Sequence, residues 1–268
     1  GLPETISSPI FLKKITIDYI YIEIEKLIKP KELSVHQNTA LIEIESNFKD
    51  KNVSLLHGVT SSGKTEIYVN LIEKELEKNN QVLYLVPEIA LTTQLIIRLK
   101  KYFGEKLLVY HSKYSLDQRT ETWKNVLKNS GKIILGARSS IFLPYKKLSL
   151  IIVDEEHENA FKQFNPAPRY NARDCAIYLG MIHKAKILLG SATPSIESYF
   201  NAISNKYGLI KLVKRYKDIE LPDIFLKDLK ESTIKNKMIG SFSENLLTNI
   251  KSTLENKKQV IIFQNRRG

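Results

Sequence analysis

Val53-Ser54-Leu55-Leu56-His57-Gly58-Val59-Thr60-Ser61-Ser62-Gly63-Lys64-Thr65 is the stretch on which the fold turns. Val53–His57 reads as a short buried strand, and Gly58–Thr65 matches the pattern G-x-x-x-x-G-K-[ST] in full. Helical patterning begins at Glu66. In such a strand–loop–helix unit the glycines let backbone N–H groups turn inward, at the positive end of the helix that follows. Gly58, Thr60, Ser61, Ser62 and Gly63 are therefore the candidate cradle for a nucleotide's phosphates. Lys64 is placed to neutralise the β- and γ-phosphates, and the Thr65 hydroxyl to ligate Mg²⁺.

Outward from this loop, short apolar runs alternate with amphipathic stretches. Val53–His57, Val82–Val86, Leu107–Tyr110, Ile133–Leu135, Leu150–Val153 and Ile187–Leu189 are the expected strands. Glu66–Glu77 and Thr92–Tyr102 are expected helices, with Leu95, Leu99 and Phe103 at helical spacing. Alternation of this kind predicts an α/β fold with a mostly parallel central sheet. Residues 205–235, carrying Lys211–Lys217 and Leu221–Pro222, read as a connection. A helix over Ser243–Glu255 and a strand over Val260–Phe263 then open a second unit. At the other end, residues 1–32, with a β-like run from Ile15 to Ile24, read as a linker and the remnant of an upstream region. A start at Gly1 and a stop at Gly268 are what a segment of a longer protein would show.

The second chemical motif is Leu150-Ile151-Ile152-Val153-Asp154-Glu155-Glu156-His157. An apolar strand that delivers acids at its C-terminal end supplies what a phosphate-loop enzyme needs. Asp154 would hold Mg²⁺, directly or through water, and Glu155 would orient and polarise the attacking water. Glu156 and His157 could relay between the nucleotide and a neighbouring lobe.

Bulk composition narrows the class. The chain has 268 residues, 43% apolar and 26% charged, as in an ordinary globular protein. A lone cysteine, Cys175, excludes an internal disulfide and a cysteine-based zinc site within this stretch. The five histidines are scattered and form no metal pattern. No apolar run approaches the roughly 18 residues of a membrane span, and no signal-peptide pattern opens the chain. A cytoplasmic protein is expected, without a membrane partner. Forty-one Lys and Arg against 29 Asp and Glu give a net charge of +12, which favours a polyanionic partner. A lysine-rich, AT-rich coding bias is the other source of such a charge.

The quartet Asp154-Glu155-Glu156-His157 resembles the Asp-Glu-x-His box of superfamily 2 helicases. Gly190-Ser191-Ala192-Thr193-Pro194-Ser195 resembles their Ser-Ala-Thr motif, which implies that Ser191, Ala192 and Thr193 couple nucleotide state to lobe movement. Pro87–Thr92 sits where these enzymes carry a loop that touches nucleic acid. Gln37 has the spacing of the glutamine that reads adenine; an exposed glutamine at a helix start is the alternative. Tyr110-His111-Ser112, Gly136-Ala137-Arg138-Ser139-Ser140 and Phe263-Gln264-Asn265-Arg266-Arg267-Gly268 complete an ordered series. From about Leu33 to the last residue, that series is similar to the replication-restart DNA helicases.

The resemblance implies an ATP- and Mg²⁺-dependent 3′–5′ motor that recognises stalled or abandoned forks during primosome assembly. It implies a RecA-like, ATP-binding lobe over 33–215 and, over 216–268, a connection and the start of a second RecA-like lobe. Residues 1–32 would then follow a winged-helix-type DNA-binding region. Implied partners are single-stranded and forked DNA, other restart proteins and single-stranded-DNA-binding protein. Zinc enters by resemblance alone, with its ligands expected beyond residue 268. Hydrolysis by this chain alone is expected to be weak, because the arginine-bearing motifs of the far lobe are not in it. A fork-binding scaffold that loads partners, or another superfamily 2 translocase, is the alternative.

The loop after the acidic box has its own physical logic. Phe161, Phe164 and Tyr170 offer faces for unpaired bases, worth about 1–3 kcal/mol each. Arg169 and Arg173 offer phosphate contacts or a cation–π partner. An aromatic-pinned surface loop is the competing explanation. Arg138 is a further candidate for the nucleic-acid backbone, or else caps a helix or pairs with an acid. His57, Cys175 and Trp123 are expected to pack.

Overall fold

The computed structural model describes residues 27–90, 93–111, 114–215, 223–230 and 238–263. Ile15–Ile24, Leu91, Thr92, Ser112, Leu221–Pro222 and Gln264–Gly268 from the motifs above lie outside them. The chain divides into two units, Gly1–Ile219 and Glu220–Gly268.

In the first unit seven strands form one sheet: β1 (Val53–Gly58), β2 (Gln81–Leu85), β3 (Leu107–Tyr110), β4 (Ile133–Gly136), β5 (Leu148–Asp154), β8 (Lys186–Ser191) and β9 (Gly208–Leu212). A two-residue ribbon, β6 (Lys162–Gln163) with β7 (Tyr170–Asn171), stands apart from it. The order is β3-β4-β2-β5-β8-β1-β9, and every pairing is parallel. Both faces of β2 are buried, which is why the inner strands are unbroken apolar runs rather than alternating ones. One face packs against α1 (Val35–Asp50), α2 (Lys64–Glu77) and α3 (Thr93–Phe103), through Ile44, Ile67, Ile72 and Leu99. The other receives α4 (Leu116–Leu127), α5 (Ala172–His183) and α6 (Ile196–Ile203), through Val126, Ala176 and Ala202.

Local chemistry sets the helix starts. Ser34 caps α1 and Ser115 caps α4, each in a reciprocal capping box with the glutamine three residues on. In α3 the buried stripe is Ile96, Leu99, Tyr102 and Phe103, with Leu95 only partly buried.

Three sequence expectations need correction. Gly208–Leu212, read as connection, is the sheet's edge strand, paired to β1 alone. Its alternating burial, with Lys211 exposed, is what an edge position allows. Val260–Phe263 is no strand: Ile261 and Phe263 are almost fully exposed, and strand character needs a neighbour to complete its ladder. Trp123 is 45% exposed on α4 rather than packed.

The second unit contains a ribbon, β10 (Met238–Ile239) with β11 (Phe242–Ser243), followed by α7 (Glu244–Glu255) capped by Ser243.

Candidate functional site: a phosphate loop at the carboxyl ends of β1, β5 and β8

Strand order brings the motifs together. β8 lies between β5 and β1, so Asp154 is in register with Gly190 and His57 with Ser191. The phosphate loop, the acidic quartet and the Ser-Ala-Thr segment therefore leave the sheet side by side. In open α/β sheets, ligands bind outside these carboxyl ends.

The loop is preformed. Ser61 and Gly63 take positive φ values of 63° and 83°, and Lys64 begins α2 directly afterward. A Cβ on Gly63 would stand 2.1 Å from Gln37 Nε2, so glycine is required there on both counts. Lys64 Nζ donates to the Gly58 carbonyl at 3.0 Å and lies 3.9 Å from Glu155 Oε1. Ser62 is buried, and its Oγ has no partner among the described residues. An orphaned buried hydroxyl in this loop fits a site made for an anion's oxygens. Thr60, Ser61, Thr65, Asp154 and Glu155 line the cleft above, of about 470 Å³.

Gln37 borders this cleft, but both ends of its amide are engaged. Its Oε1 accepts from Ser34 N at 2.9 Å, and its Nε2 donates to the carbonyls of Ser62 at 3.2 Å and Gly63 at 3.4 Å. In this arrangement it clamps the phosphate loop to α1.

Asp154 is held by residues that the motifs did not reveal. Tyr68 on α2 donates to Oδ1 at 3.0 Å, and Tyr84 on β2 donates to Oδ2 at 3.2 Å. Both rings are fully buried and meet edge to face at 5.6 Å. Tyr68 reaches Asp154 because residue 190 has no side chain: a Cβ there would lie 1.8 Å from the Tyr68 hydroxyl. Gly190→Ala is therefore expected to push Tyr68 off Asp154. It should lower ATP turnover about tenfold and cost about 1–3 kcal/mol of stability. Tyr68→Phe should reproduce part of the turnover loss with a smaller loss of stability. Steady-state kinetics and thermal unfolding of the two variants check this; wild-type turnover in both would show that Asp154 needs no such support.

Burial, then the Glu155 charge, raises the Asp154 pKa from 3.8 to about 6, against the Lys64 charge and the two tyrosine hydrogen bonds. A carboxyl that is harder to ionise when folded stabilises the fold most below its unfolded pKa. That contribution is lost as pH rises through about 6. Metal binding has the opposite sign, because a ligand must be ionised. Mg²⁺-dependent nucleotide affinity should fall by up to about tenfold per pH unit below 6. Fluorescent-nucleotide titrations from pH 5 to 8 test this. A flat profile in the wild-type chain, or an unchanged one in Asp154→Asn, would contradict it.

Glu155 follows at φ 50°, a left-handed turn that ends β5. Glu156 is buried beneath α6. Its Oε1 accepts from Ser195 N at 2.7 Å, and its Oε2 accepts from Ser198 Oγ at 2.8 Å and Arg173 Nη1 at 3.1 Å. His157 Nδ1 lies 2.7 Å from Ser191 Oγ, and Nε2 lies 3.3 Å from Thr193 Oγ1. Thr193 N also donates to Ser191 Oγ at 2.9 Å. Ala192 is half-buried between them. Two links thus tie the acidic quartet to the Ser-Ala-Thr segment, one through Glu156 and one through His157. Tyr68, Tyr84 and Ser198 are the members that sequence reading missed, and no local pattern marks them.

The aromatic and basic loop divides. Phe161 is 1% exposed and belongs to the core, so it presents no face to a base. Arg173 is likewise corrected: its guanidinium bonds Glu156, Ser195 and Asp174, because a buried carboxylate must be neutralised. Phe164 and Arg169 are exposed, with Lys162 Nζ 4.8 Å from the Phe164 ring centre. Half-buried Tyr170 meets Phe142 edge to face at 5.1 Å. Arg138 Nη1 donates to the Ala160 carbonyl at 3.3 Å and is also half-buried. His57 packs against Tyr199, and Cys175 is partly buried against the second core. Among the described residues no group of three or more His, Cys, Asp or Glu is placed to hold a metal ion. No helix there is long and apolar enough to cross a membrane.

A parallel sheet carrying this loop and quartet defines a helicase-type nucleotide-binding domain. Residues 34–201 match the DEAD/DEAH box helicase family, and the chain belongs to it. Among curated proteins it is similar to the replication restart protein PriA. It is 44% identical to that of Rickettsia conorii over 253 residues, covering 91% of this chain and 38% of the relative. With the Chlamydia trachomatis protein identity is 45% over 214 residues, 80% of this chain and 28% of the relative. With the Bacillus subtilis protein it is 38% over 245 residues, 91% of this chain and 30% of the relative. The chain thus spans well under half the length of these relatives.

Solved structures share the fold. RecG bound to a three-way DNA junction aligns with a TM-score of 0.50 at 20% identity, over 72% of this chain and 25% of that one. The helicase MrfA aligns at 0.52 and 18%, over 85% and 39%.

Proposed function

We propose that this chain is the nucleotide-binding part of an ATP-driven DNA helicase acting in replication restart. The observation that carries the reading is the convergence of Lys64, Asp154 and Glu155 on one cleft over the phosphate loop. On this reading residues 33–215 form the first motor lobe, and 216–268 the connection and the opening of a second. The PriA relatives support the restart assignment; a 3′–5′ direction, a forked-DNA substrate and restart-protein partners belong to the same proposal.

Lys64 trades its contacts with Gly58 and Glu155 for the β- and γ-phosphates. The loop amides and Ser62 Oγ bind the remaining oxygens. Thr65 and Asp154 would hold Mg²⁺, which when bound offsets the charge that builds on the transferring phosphate. Glu155, released from Lys64, orients the water for in-line attack. Loss of the γ-phosphate is sensed at Glu155, whose backbone joins the Glu156 and His157 links to residues 191–198. Single-stranded DNA would cross the carboxyl edge near Arg138, Phe164, Arg169 and Tyr170, and the net charge of +12 would make that binding strongly salt-dependent.

The test is ATP turnover by the full-length protein with and without a forked DNA, beside the same assay on a structured RNA. DNA-stimulated turnover is expected. Turnover indifferent to DNA, or stimulated more by RNA, would defeat the reading.

A further inference from the structure

The sheet's opposite edge is strongly basic. Every strand is preceded within three residues by a lysine: Lys106 for β3, Lys132 for β4, Lys78 for β2, Lys147 for β5, Lys184 for β8, Lys51 for β1 and Lys206 for β9. In that spatial order they run along the amino-terminal edge. Six inter-strand spacings of about 4.8 Å carry the row across roughly 29 Å. Asp50, Glu77 and Glu105 are the acidic residues in or next to the same connections, and Glu75 pairs with Lys78 at 2.7 Å.

Part of the row has an ordinary explanation. Lys51, Lys78 and Lys184 are C-cap residues of α1, α2 and α5, where a cation complements the helix dipole. Lys132 and Lys147 follow no helix end in that way, and Lys106 closes a single turn after α3. Among the described residues Lys106, Lys132 and Lys147 form no ion pair. They are close enough to repel: burial first, then the charges of Lys147 and Lys106, lowers the Lys132 pKa. Like charges held together on one sheet edge create a positive field that attracts a polyanion.

We propose that this amino-terminal edge, around Lys106, Lys132 and Lys147, is a second nucleic-acid surface that binds the phosphate backbone of duplex DNA. Two features favour a duplex. Single-strand sites pair cations with exposed aromatic platforms, whereas beside this row Phe103, Tyr145 and Tyr207 are buried and Phe48 is half-buried. All the cations are lysines, point charges suited to a phosphate array rather than to the bidentate grip that arginine gives an acidic peptide. The surface lies across the sheet from the nucleotide cleft, so it holds DNA without touching the ATP chemistry.

The experiment is a fluorescence-anisotropy titration of the full-length protein with a blunt 25-base-pair duplex, a 25-nucleotide single strand and an acidic peptide, at several salt concentrations. Lys106→Gln, Lys132→Gln and Lys147→Gln are combined, and each is also made singly. The triple variant should lose about tenfold or more in duplex affinity. Each single should reduce the slope of log affinity against log salt by about one, near the value for one phosphate contact. Lysine-to-arginine versions should restore binding, and single-strand affinity and ATP turnover without DNA should stay at wild-type levels. Unchanged duplex affinity and slope would overturn the proposal, as would an equal loss for the single strand, or a loss confined to the peptide. Failure of the helicase reading would show instead as wild-type ATP turnover indifferent to forked DNA, a comparison separate from these titrations.

Discussion

Replacing Lys64 by alanine is expected to reduce ATP hydrolysis by at least about 100-fold, the scale on which a single preorganised donor to developing charge acts. In the structure the ammonium sits between the Gly58 carbonyl and the Glu155 carboxylate, over the loop that would cradle the phosphates. Its removal leaves Asp154 and Glu155 without the ammonium that lies 3.9 Å from Glu155 Oε1. Nucleotide affinity should therefore fall together with turnover. Glu155→Gln should separate the two, retaining nucleotide while losing hydrolysis, because the amide cannot polarise water. Phosphate release and fluorescent-nucleotide binding, measured on both variants, decide the matter. Turnover within threefold of wild type in Lys64→Ala would mean that phosphate charge is neutralised elsewhere.

Replacing Arg173 by alanine is expected to have the largest effect on stability. The Glu156 side chain is fully enclosed, and Arg173 is its positive partner at 3.1 Å. Removing one member of a buried pair leaves an uncompensated charge, at a cost of about 3–5 kcal/mol. For a domain of this size that corresponds to a fall in Tm of about 10 °C. Arg173→Lys should recover little, because one ammonium cannot reproduce the guanidinium's simultaneous bonds to Glu156, Ser195 and Asp174. A double variant with Glu156→Gln should be markedly more stable than the sum of the single losses, since it removes the orphaned charge. Strict additivity in thermal unfolding would show that the pair is not coupled. Disruption here should also loosen α6, because Ser195 caps that helix and bonds Glu156 through both its amide and its hydroxyl.

Much of the site was legible because its chemistry is local. Gly58–Thr65 are eight consecutive residues whose types dictate the backbone path, and Asp154–His157 lie at the end of an apolar run that could only be an inner strand. The five inner strands were readable for the same reason, since burial on both faces leaves an unbroken hydrophobic record, and the edge strand β3 was readable because its short run is apolar throughout. The edge strand β9 was not, because one exposed position, Lys211, and the lysines after it resemble a solvated connection. Phe161 and Arg173 misled for another reason. An aromatic or an arginine in a loop has the same signature whether it faces DNA or fills an interior gap. Its partner decides between the two, and that partner is elsewhere in the chain.

The sequence alone determined the phosphate-loop motif, the parallel α/β architecture and the placement of acids at a strand's carboxyl end. Each follows from residues within about ten positions of one another, where steric and hydrogen-bonding preferences act directly. Only the tertiary structure decided what surrounds that site. Tyr68 and Tyr84 reach Asp154 across 86 and 70 residues, and Gly190 makes room for the first of them. The same strand order turns lysines scattered over 155 positions, from Lys51 to Lys206, into one row. A parallel sheet places distant segments about 4.8 Å apart, and which segments become neighbours depends on how all seven strands bury their faces together.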